Sequence, residues 1–327
     1  MEPNKQYICD TLELSEYSEI EYFPLYVQIE TTARCNSKCV MCPRSKELPS
    51  RRQWDMSREL MDKLINELTQ YSDHIRRVIP QGYGEPLLDP NLFYFINKLK
   101  KCGIREVFIS SNGSLLDEKR SHLLIESGLD QIDFSVDAFN GETYEKIRKG
   151  LCYEIVMENI KRFIKIRDKL GGKTRIRFRY VIQEGINEKE YGGFCNYWQS
   201  HIGEKDMISG KKIHTFGGNM AMPDRKEYNE LKDKLLSLPC KGIFGTISVL
   251  SDGTMPICGV DVNQNHIAGD ANISSLQSVW QGELFTTFRN NHLKAGRVSY
   301  PHCPSCNSWA PELKLPEALS LGSKQNV

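Results

Sequence analysis

The sequence predicts an α/β fold of parallel strands with crossover helices, and three observations carry that reading. Short apolar or β-branched runs alternate with longer helical patterns through most of the chain, the rhythm of strand-helix-strand units. The chain has 327 residues, 26% of them charged, so it can bury the core of one large domain and still carry a smaller one. A tight loop with three cysteines directly follows the first predicted strand, and barrel-like α/β folds place their chemistry at the carboxyl ends of strands.

In order along the chain, strands are expected at about 24 to 31, 77 to 81, 105 to 110, 131 to 136 and 175 to 182. Helices are expected at about 57 to 70, 91 to 101, 116 to 127, 153 to 170 and 187 to 200. A sixth strand is expected between Met207 and Thr215, where Gly and Lys interrupt the pattern. A polar helical stretch from Tyr228 to Leu238 then leads to two alternating runs, Thr246 to Leu250 and Met255 to Ile257. Ser251-Asp252-Gly253 between them predicts a β-hairpin. Ser275 to Arg289 reads as helix.

Charge and hydropathy exclude several classes of partner. Lys+Arg 43 against Asp+Glu 42 leaves +1, with no long basic block, so there is no electrostatic footprint for nucleic acid or an anionic membrane. The amino-terminal segment is acidic and lacks the apolar core of a signal peptide, and no stretch approaches a membrane span in length. A cytoplasmic protein is expected. Its eleven cysteines then point to metal and thiol chemistry rather than a disulfide framework.

The three cysteines on the first loop, Cys35, Cys39 and Cys42, read CNSKCVMC, or CxxxCxxC. Three thiolates on one loop can hold three irons of a [4Fe-4S] cube and leave the fourth open. A structural zinc loop or a buried unligated set is the alternative, but zinc takes four N or S ligands, and its cysteines usually come in pairs. The segment resembles the cluster loop of the radical S-adenosylmethionine (SAM) superfamily, with Met41 where an aromatic residue is usual. The resemblance implies that SAM binds the open iron and yields a 5'-deoxyadenosyl radical that removes hydrogen from carbon. It also implies a partial (β/α)6 TIM-like barrel over roughly residues 20 to 215.

Further matches follow successive strands. Gly82-Tyr83-Gly84-Glu85-Pro86 is similar to the family's GGEP segment, with Tyr83 in place of the first glycine, and implies that Gly84 and Glu85 face the SAM amino group. Ser111-Asn112-Gly113 resembles the TNG segment lining the SAM site. In Ser135-Val136-Asp137-Ala138, Ser135 is a candidate for the SAM ribose and carboxylate, together with Arg148. Arg179 and Asn187 also sit where the family contacts SAM. Taken singly, each of these is ordinary turn or cap chemistry.

A second cysteine set lies in the last third. Cys240, Gly253 and Cys258 read C-x12-G-x4-C, and Cys303 and Cys306 form a CxxC. This resembles the SPASM and twitch extensions, and with no cysteine beyond Cys306 it implies one auxiliary [4Fe-4S] cluster closed by four thiolates, in a small α+β domain. Zinc is the alternative occupant. The expected organisation is an extension at 1–20, a barrel at 21–220, a linker helix at 221–238, the auxiliary domain at 239–312 and a tail at 313–327.

Cys102 and Cys195 fall in predicted helices and read as structural. Cys152, after Arg148-Lys149-Gly150, is expected near the open end of the barrel, where a thiol can give a hydrogen atom to a substrate radical. His214 is a candidate base. The resemblance implies a small-molecule substrate, carbohydrate-like, and a flavodoxin- or ferredoxin-type electron donor. The reading preferred is oxidation of a CH–OH group with the auxiliary cluster as electron acceptor, similar to aminocyclitol dehydrogenases. Epimerisation with a cysteine hydrogen donor, ribosomal-peptide maturation and a non-catalytic iron-sulfur redox role are the alternatives.

Overall fold

The computed structural model describes residues 2–45, 54–213, 215–216 and 236–307. His214, most of the expected linker helix and the expected tail lie outside them. The chain opens with α1 (Pro3–Leu12) and α2 (Ser18–Tyr22), then β1 (Tyr26–Ile29), α3 (Arg58–Thr69), β2 (Arg77–Ile79), α4 (Leu92–Lys101) and β3 (Phe108–Ser111). It continues with α5 (Glu118–Glu126), β4 (Gln131–Ser135), α6 (Gly141–Ile147), α7 (Tyr153–Lys169), β5 (Arg175–Ile182), α8 (Tyr191–Gln199) and β6 (Met207–Lys212). The remainder holds β7 (Thr246–Val249), β8 (Thr254–Pro256), β9 (Ile267–Asp270), α9 (Leu276–Trp280) and α10 (Glu283–Ala295).

Two parallel sheets, ordered β2-β1-β7 and β3-β4-β5-β6, are joined by a parallel bridge between Val78 and Val107. The result is an open row of parallel strands with helices against it, a partial barrel without closure. Strand β5 shows why the sequence pattern works: Ile176, Phe178, Tyr180 and Ile182 are buried, and Phe178 stacks on Trp198 of α8 at 4.0 Å. The alternate residues Arg179 and Val181 face the interior cavity. Helix α3 starts at Ser57, whose hydroxyl accepts from the Leu60 N–H, and buries Leu60, Met61, Leu64, Ile65 and Leu68.

Two expectations are corrected here. The hairpin of Thr246–Leu250 with Met255–Ile257 is not a paired ladder: β7 instead lies parallel to β1, with Val27 opposite Ile247, and β8 pairs antiparallel with β9. Strand β7, with Ile247, Ser248 and Val249 buried, extends the edge of the parallel sheet beside β1, where both of its faces are covered as they would not be in a small hairpin. The region expected as an extension is also part of the core, because Ile8, Cys9 and Leu12 of α1 are buried and Asn4 donates to the Leu293 carbonyl of α10. The helix α6 was not anticipated; its cap is Asn140, whose side chain accepts from the Glu142 and Thr143 N–H groups.

Candidate active site

All seven cysteines of the two sets line one cavity of about 580 Å³ at the carboxyl ends of the strands. The first set sits on a loop held by backbone and charge. Arg34 pairs with Asp55 at 2.6 Å and donates to the Leu88 carbonyl, Lys38 N–H bonds the Lys149 carbonyl, and Val40 N–H bonds the Ile147 carbonyl. Arg44 donates to the carbonyls of Ala33 and Cys35, and the Ser37 hydroxyl lies 3.4 and 3.3 Å from the sulfurs of Cys35 and Cys39.

The next two loops interlock with it. Glu85 is buried, its N–H bonds the Arg34 carbonyl, and its carboxylate accepts from the Ser111 hydroxyl at 2.7 Å and the Asn112 N–H at 2.8 Å. Burial pushes the Glu85 carboxyl above its ordinary range, and those donors oppose the rise. Asn112 donates to Asn36 of the cysteine loop at 2.9 Å. Gly84 permits this approach, since a Cβ there would sit 2.1 Å from the Thr32 carbonyl oxygen. Tyr83, standing where a glycine is usual, donates its hydroxyl to the Gly259 carbonyl at 2.9 Å and so ties this loop to the cysteine beside it, Cys258.

Arg148 lies in the cavity wall, its Nε 2.6 Å from Asp137 and its Nη1 3.5 Å from the Cys39 sulfur. Burial disfavours its charge, but Asp137 and the neighbouring thiolate hold its pKa above the ordinary value. Ser111, Ser135 and Arg179 also face the cavity. Asn187 does not. It is fully buried, donating to the carbonyls of Asp137 and Val181 and accepting from the Gln183 N–H, so every polar atom of its side chain is engaged in shaping the turn. Cys152 is likewise displaced: it caps α7 on the outer surface, 3.3 Å from Glu154, and is not part of the cavity wall. Gly150, with φ +90°, lies against the cysteine loop, where a Cβ would sit 3.4 Å from the Asn36 carbonyl oxygen, and two residues later Cys152 stands exposed at the start of α7.

The second set is gathered from three segments. Cys258 precedes β9, Cys240 precedes the helical turn Gly242–Gly245, and Cys303 and Cys306 follow α10. Two residues missed in the sequence support it. His292, buried on α10, accepts from the Cys240 N–H at 3.3 Å and lies 3.8 Å from the Cys303 sulfur. Burial lowers its pKa to about 4, so it is a neutral imidazole. Asn159 of α7 fixes the Ser111-Asn112-Gly113 turn through the carbonyls of Gly113 and Ser114. The only signal for either was a polar residue at a core position of an amphipathic helix.

The donor sets fit iron-sulfur clusters better than single metal ions. Four thiolates 2.3 Å from one zinc stand about 3.8 Å apart. Among the described residues no three of these sulfurs lie within 4.8 Å of one another, so each set spans a wider object. Burial and mutual repulsion push Cys42 up to about 11 and Cys303 up to about 12, a cost that a cationic cluster core offsets. In the same cavity the buried Nη2 of Arg44 has no protein partner, a donor suited to an anionic cofactor group.

Comparison with known proteins agrees. Residues 29–197 match the family described as the radical SAM superfamily, and residues 240–307 match the SPASM iron-sulfur cluster-binding domain. A GTP 3',8-cyclase of Limosilactobacillus fermentum is 31% identical over 57% of this chain and 54% of its own length, so the chain spans little more than half of that relative. A tungsten-containing aldehyde ferredoxin oxidoreductase cofactor-modifying protein of Pyrococcus furiosus is 31% identical over 86% of this chain and 87% of its own. Among solved structures, BtrN in complex with AdoMet and 2-DOIA is similar with a TM-score of 0.59 at 20% identity, covering 87% of this chain and 93% of BtrN. Streptococcus suis SuiB bound to precursor peptide SuiA is similar with a TM-score of 0.63 at 17% identity, covering 92% and 73%. No helix among the described residues is long and apolar enough to cross a membrane. The chain therefore belongs to the radical SAM superfamily and carries a SPASM domain, with SAM and two iron-sulfur clusters as its cofactors.

Proposed function

We propose that this chain oxidises a CH–OH group of a small carbohydrate-like molecule held between two [4Fe-4S] clusters. Cys35, Cys39 and Cys42 hold the SAM-binding cluster, and Cys240, Cys258, Cys303 and Cys306 hold the auxiliary one. When bound, the first cluster with SAM supplies hydrogen abstraction and the second supplies an electron acceptor. The observation that carries this reading is the shared cavity of about 580 Å³, which opens onto both cysteine sets and is the size of a small-molecule site. A flavodoxin- or ferredoxin-type protein is the proposed reductant.

The chain's own residues orient and shield. Gly84 and the buried Glu85 shape the turn that faces the SAM amino group, Asn112 braces it against the cysteine loop, and Ser135 with Arg148 faces the sugar and carboxylate of SAM. Met41, buried against Ile147, keeps water from the first cluster. Glu85→Ala is expected to weaken SAM binding about tenfold or more, because the Ser111 hydroxyl and Asn112 N–H lose a buried acceptor. Iron content should be unchanged. Equilibrium dialysis with labelled SAM checks this, and unchanged affinity would show the turn to be scaffold only.

Four thiolates complete the second set, which favours an electron acceptor over a substrate-ligating cluster. Epimerisation is disfavoured by the cavity wall, which among the described residues holds no cysteine beyond the seven. Cys152→Ala is accordingly expected to retain full turnover. Product formed in D2O should carry no carbon-bound solvent deuterium, and a substrate deuterated at the reacting carbon should pass its label to 5'-deoxyadenosine. Solvent deuterium in the product together with an inactive Cys152→Ala enzyme would contradict oxidation. The near full-length likeness to a cofactor-modifying protein, with the GTP 3',8-cyclases, supports a second reading in which the substrate is a nucleotide or cofactor precursor.

A further inference from the structure

The loop after β2 and the loop that carries Cys258 meet at one peptide group. Tyr83 donates its hydroxyl to the Gly259 carbonyl at 2.9 Å, and that carbonyl and the Val260 N–H belong to the same peptide bond. Burial and the thiolates beside it push the Cys258 thiol well above its ordinary range, and a hydrogen bond from the Val260 N–H opposes the rise. A phenol, a peptide and a thiolate thus form one chain of hydrogen bonds, which runs from the turn beside Gly84 and Glu85 to the second cysteine set.

Both ends of this chain are held in place. The Tyr83 N–H bonds the buried Glu30 carboxylate at 2.9 Å, and the same carboxylate accepts from the Ser251 hydroxyl at 3.4 Å in the turn after β7. Gly82 makes room for that carboxylate, since a Cβ there would lie 2.4 Å from Glu30 Oε2. Gly259 packs on β1 and β7, where a Cβ would meet Gln28 Oε1 at 2.8 Å and Ser248 Oγ at 3.0 Å. The Asp261 N–H closes the turn on the Cys258 carbonyl at 3.0 Å. The Gly259–Val260 peptide is therefore confined by packing and by its turn, and Tyr83 supplies the donor on its carbonyl.

Resting on the reading of Cys258 as a ligand of an electron-accepting auxiliary cluster, we infer that Tyr83 is a positioning residue that raises the reduction potential of that cluster through the Gly259–Val260 peptide. Hydrogen bonds to cluster sulfurs help to set such potentials, and the groups behind the ligands orient and strengthen those bonds. A donor on the carbonyl polarises the peptide and makes its N–H a better donor to sulfur. One-electron reduction adds negative charge to the thiolate-bound cluster, so the strengthened donor favours the reduced state. In the proposed reaction that electron comes from the substrate radical, which becomes the ketone as its hydroxyl proton leaves to water. Tyr83 thereby serves the electron acceptor rather than SAM.

The test is a redox titration of the anaerobically reconstituted protein followed by electron paramagnetic resonance, with the two signals told apart by their response to SAM. Tyr83→Phe should lower the midpoint potential of the SAM-unresponsive cluster by about threefold in the reduction equilibrium, or ~28 mV for one electron, as for the weakening of one hydrogen bond to a charged group. The potential of the SAM-responsive cluster, the iron content and the SAM affinity should match the parent, which also shows that the variant folds. 3-Fluorotyrosine placed at position 83 keeps the shape and hydroxyl but is a more acidic donor, so it should raise the auxiliary potential, a response that a merely structural contact would not give. This second substitution decides the question even where Tyr83→Phe fails to fold. The inference is overturned if fluorination leaves the auxiliary potential unchanged or lowers it, or if a folded Tyr83→Phe keeps the parent potential or shifts both clusters alike. A parent that holds zinc at the second set, or lacks a SAM-unresponsive signal, defeats the underlying reading and the inference with it. A parent with both clusters whose auxiliary potential neither substitution moves defeats the role of Tyr83 alone.

Discussion

Replacing Cys35, Cys39 and Cys42 together with alanine is expected to lower reconstituted iron from about eight to about four per chain and to abolish SAM cleavage. The three thiols share one short loop, so no single neighbour can substitute for them. The loop itself should persist, because it is held by Arg34 on Asp55, by Arg44 on the Ala33 carbonyl and by backbone bonds to the segment from Ile147 to Lys149. Loss of cleavage can therefore be separated from unfolding by the melting temperature of the variant. Iron assay and chromatography of 5'-deoxyadenosine check the result. Persistent cleavage in the triple variant would remove the assignment of this loop.

The second large effect is expected at the other end of the cavity. Cys258→Ala should remove the auxiliary cluster, leave about four irons, spare SAM cleavage and eliminate net substrate oxidation. Two anchors near the site should keep the loop in place: Tyr83 holds the Gly259 carbonyl, and the Asp261 N–H bonds the Cys258 carbonyl. A variant that oxidises substrate as fast as the parent would show that the electron leaves by another route. Zinc in place of iron at this set would overturn the acceptor role directly.

Much of this arrangement was readable in advance, for identifiable reasons. The cysteine spacings, the turns after successive strands and the strict alternation of β5 are local, and local patterns survive in sequence. The partner of β7 was not readable. Its alternation predicts a strand, but a strand's neighbour is set by burial over a separation of some two hundred residues, and β1 offered the apolar edge. Asn187 was expected near SAM from its family position, and Cys152 near the substrate from its place after the Arg148-Lys149-Gly150 loop. Their actual places depend on tertiary surroundings: the Asn187 amide is taken by the carbonyls of Asp137 and Val181, and Cys152 stands exposed at the start of α7. His292 and Asn159 were hidden for the opposite reason, since a polar residue on a buried helix face gains meaning only from the groups opposite it.

The central claim is that two clusters of different kinds face one cavity, one open to SAM and one closed by four thiolates. Electron paramagnetic resonance of the dithionite-reduced protein, recorded with and without SAM, tests it most directly. Two reduced-cluster signals are expected, of which SAM alters one and leaves the other unchanged. In the Cys35, Cys39 and Cys42 variant only the unresponsive signal should remain, and in Cys258→Ala only the responsive one. A parent spectrum indifferent to SAM, or a SAM-responsive signal surviving in the triple variant, would contradict the account.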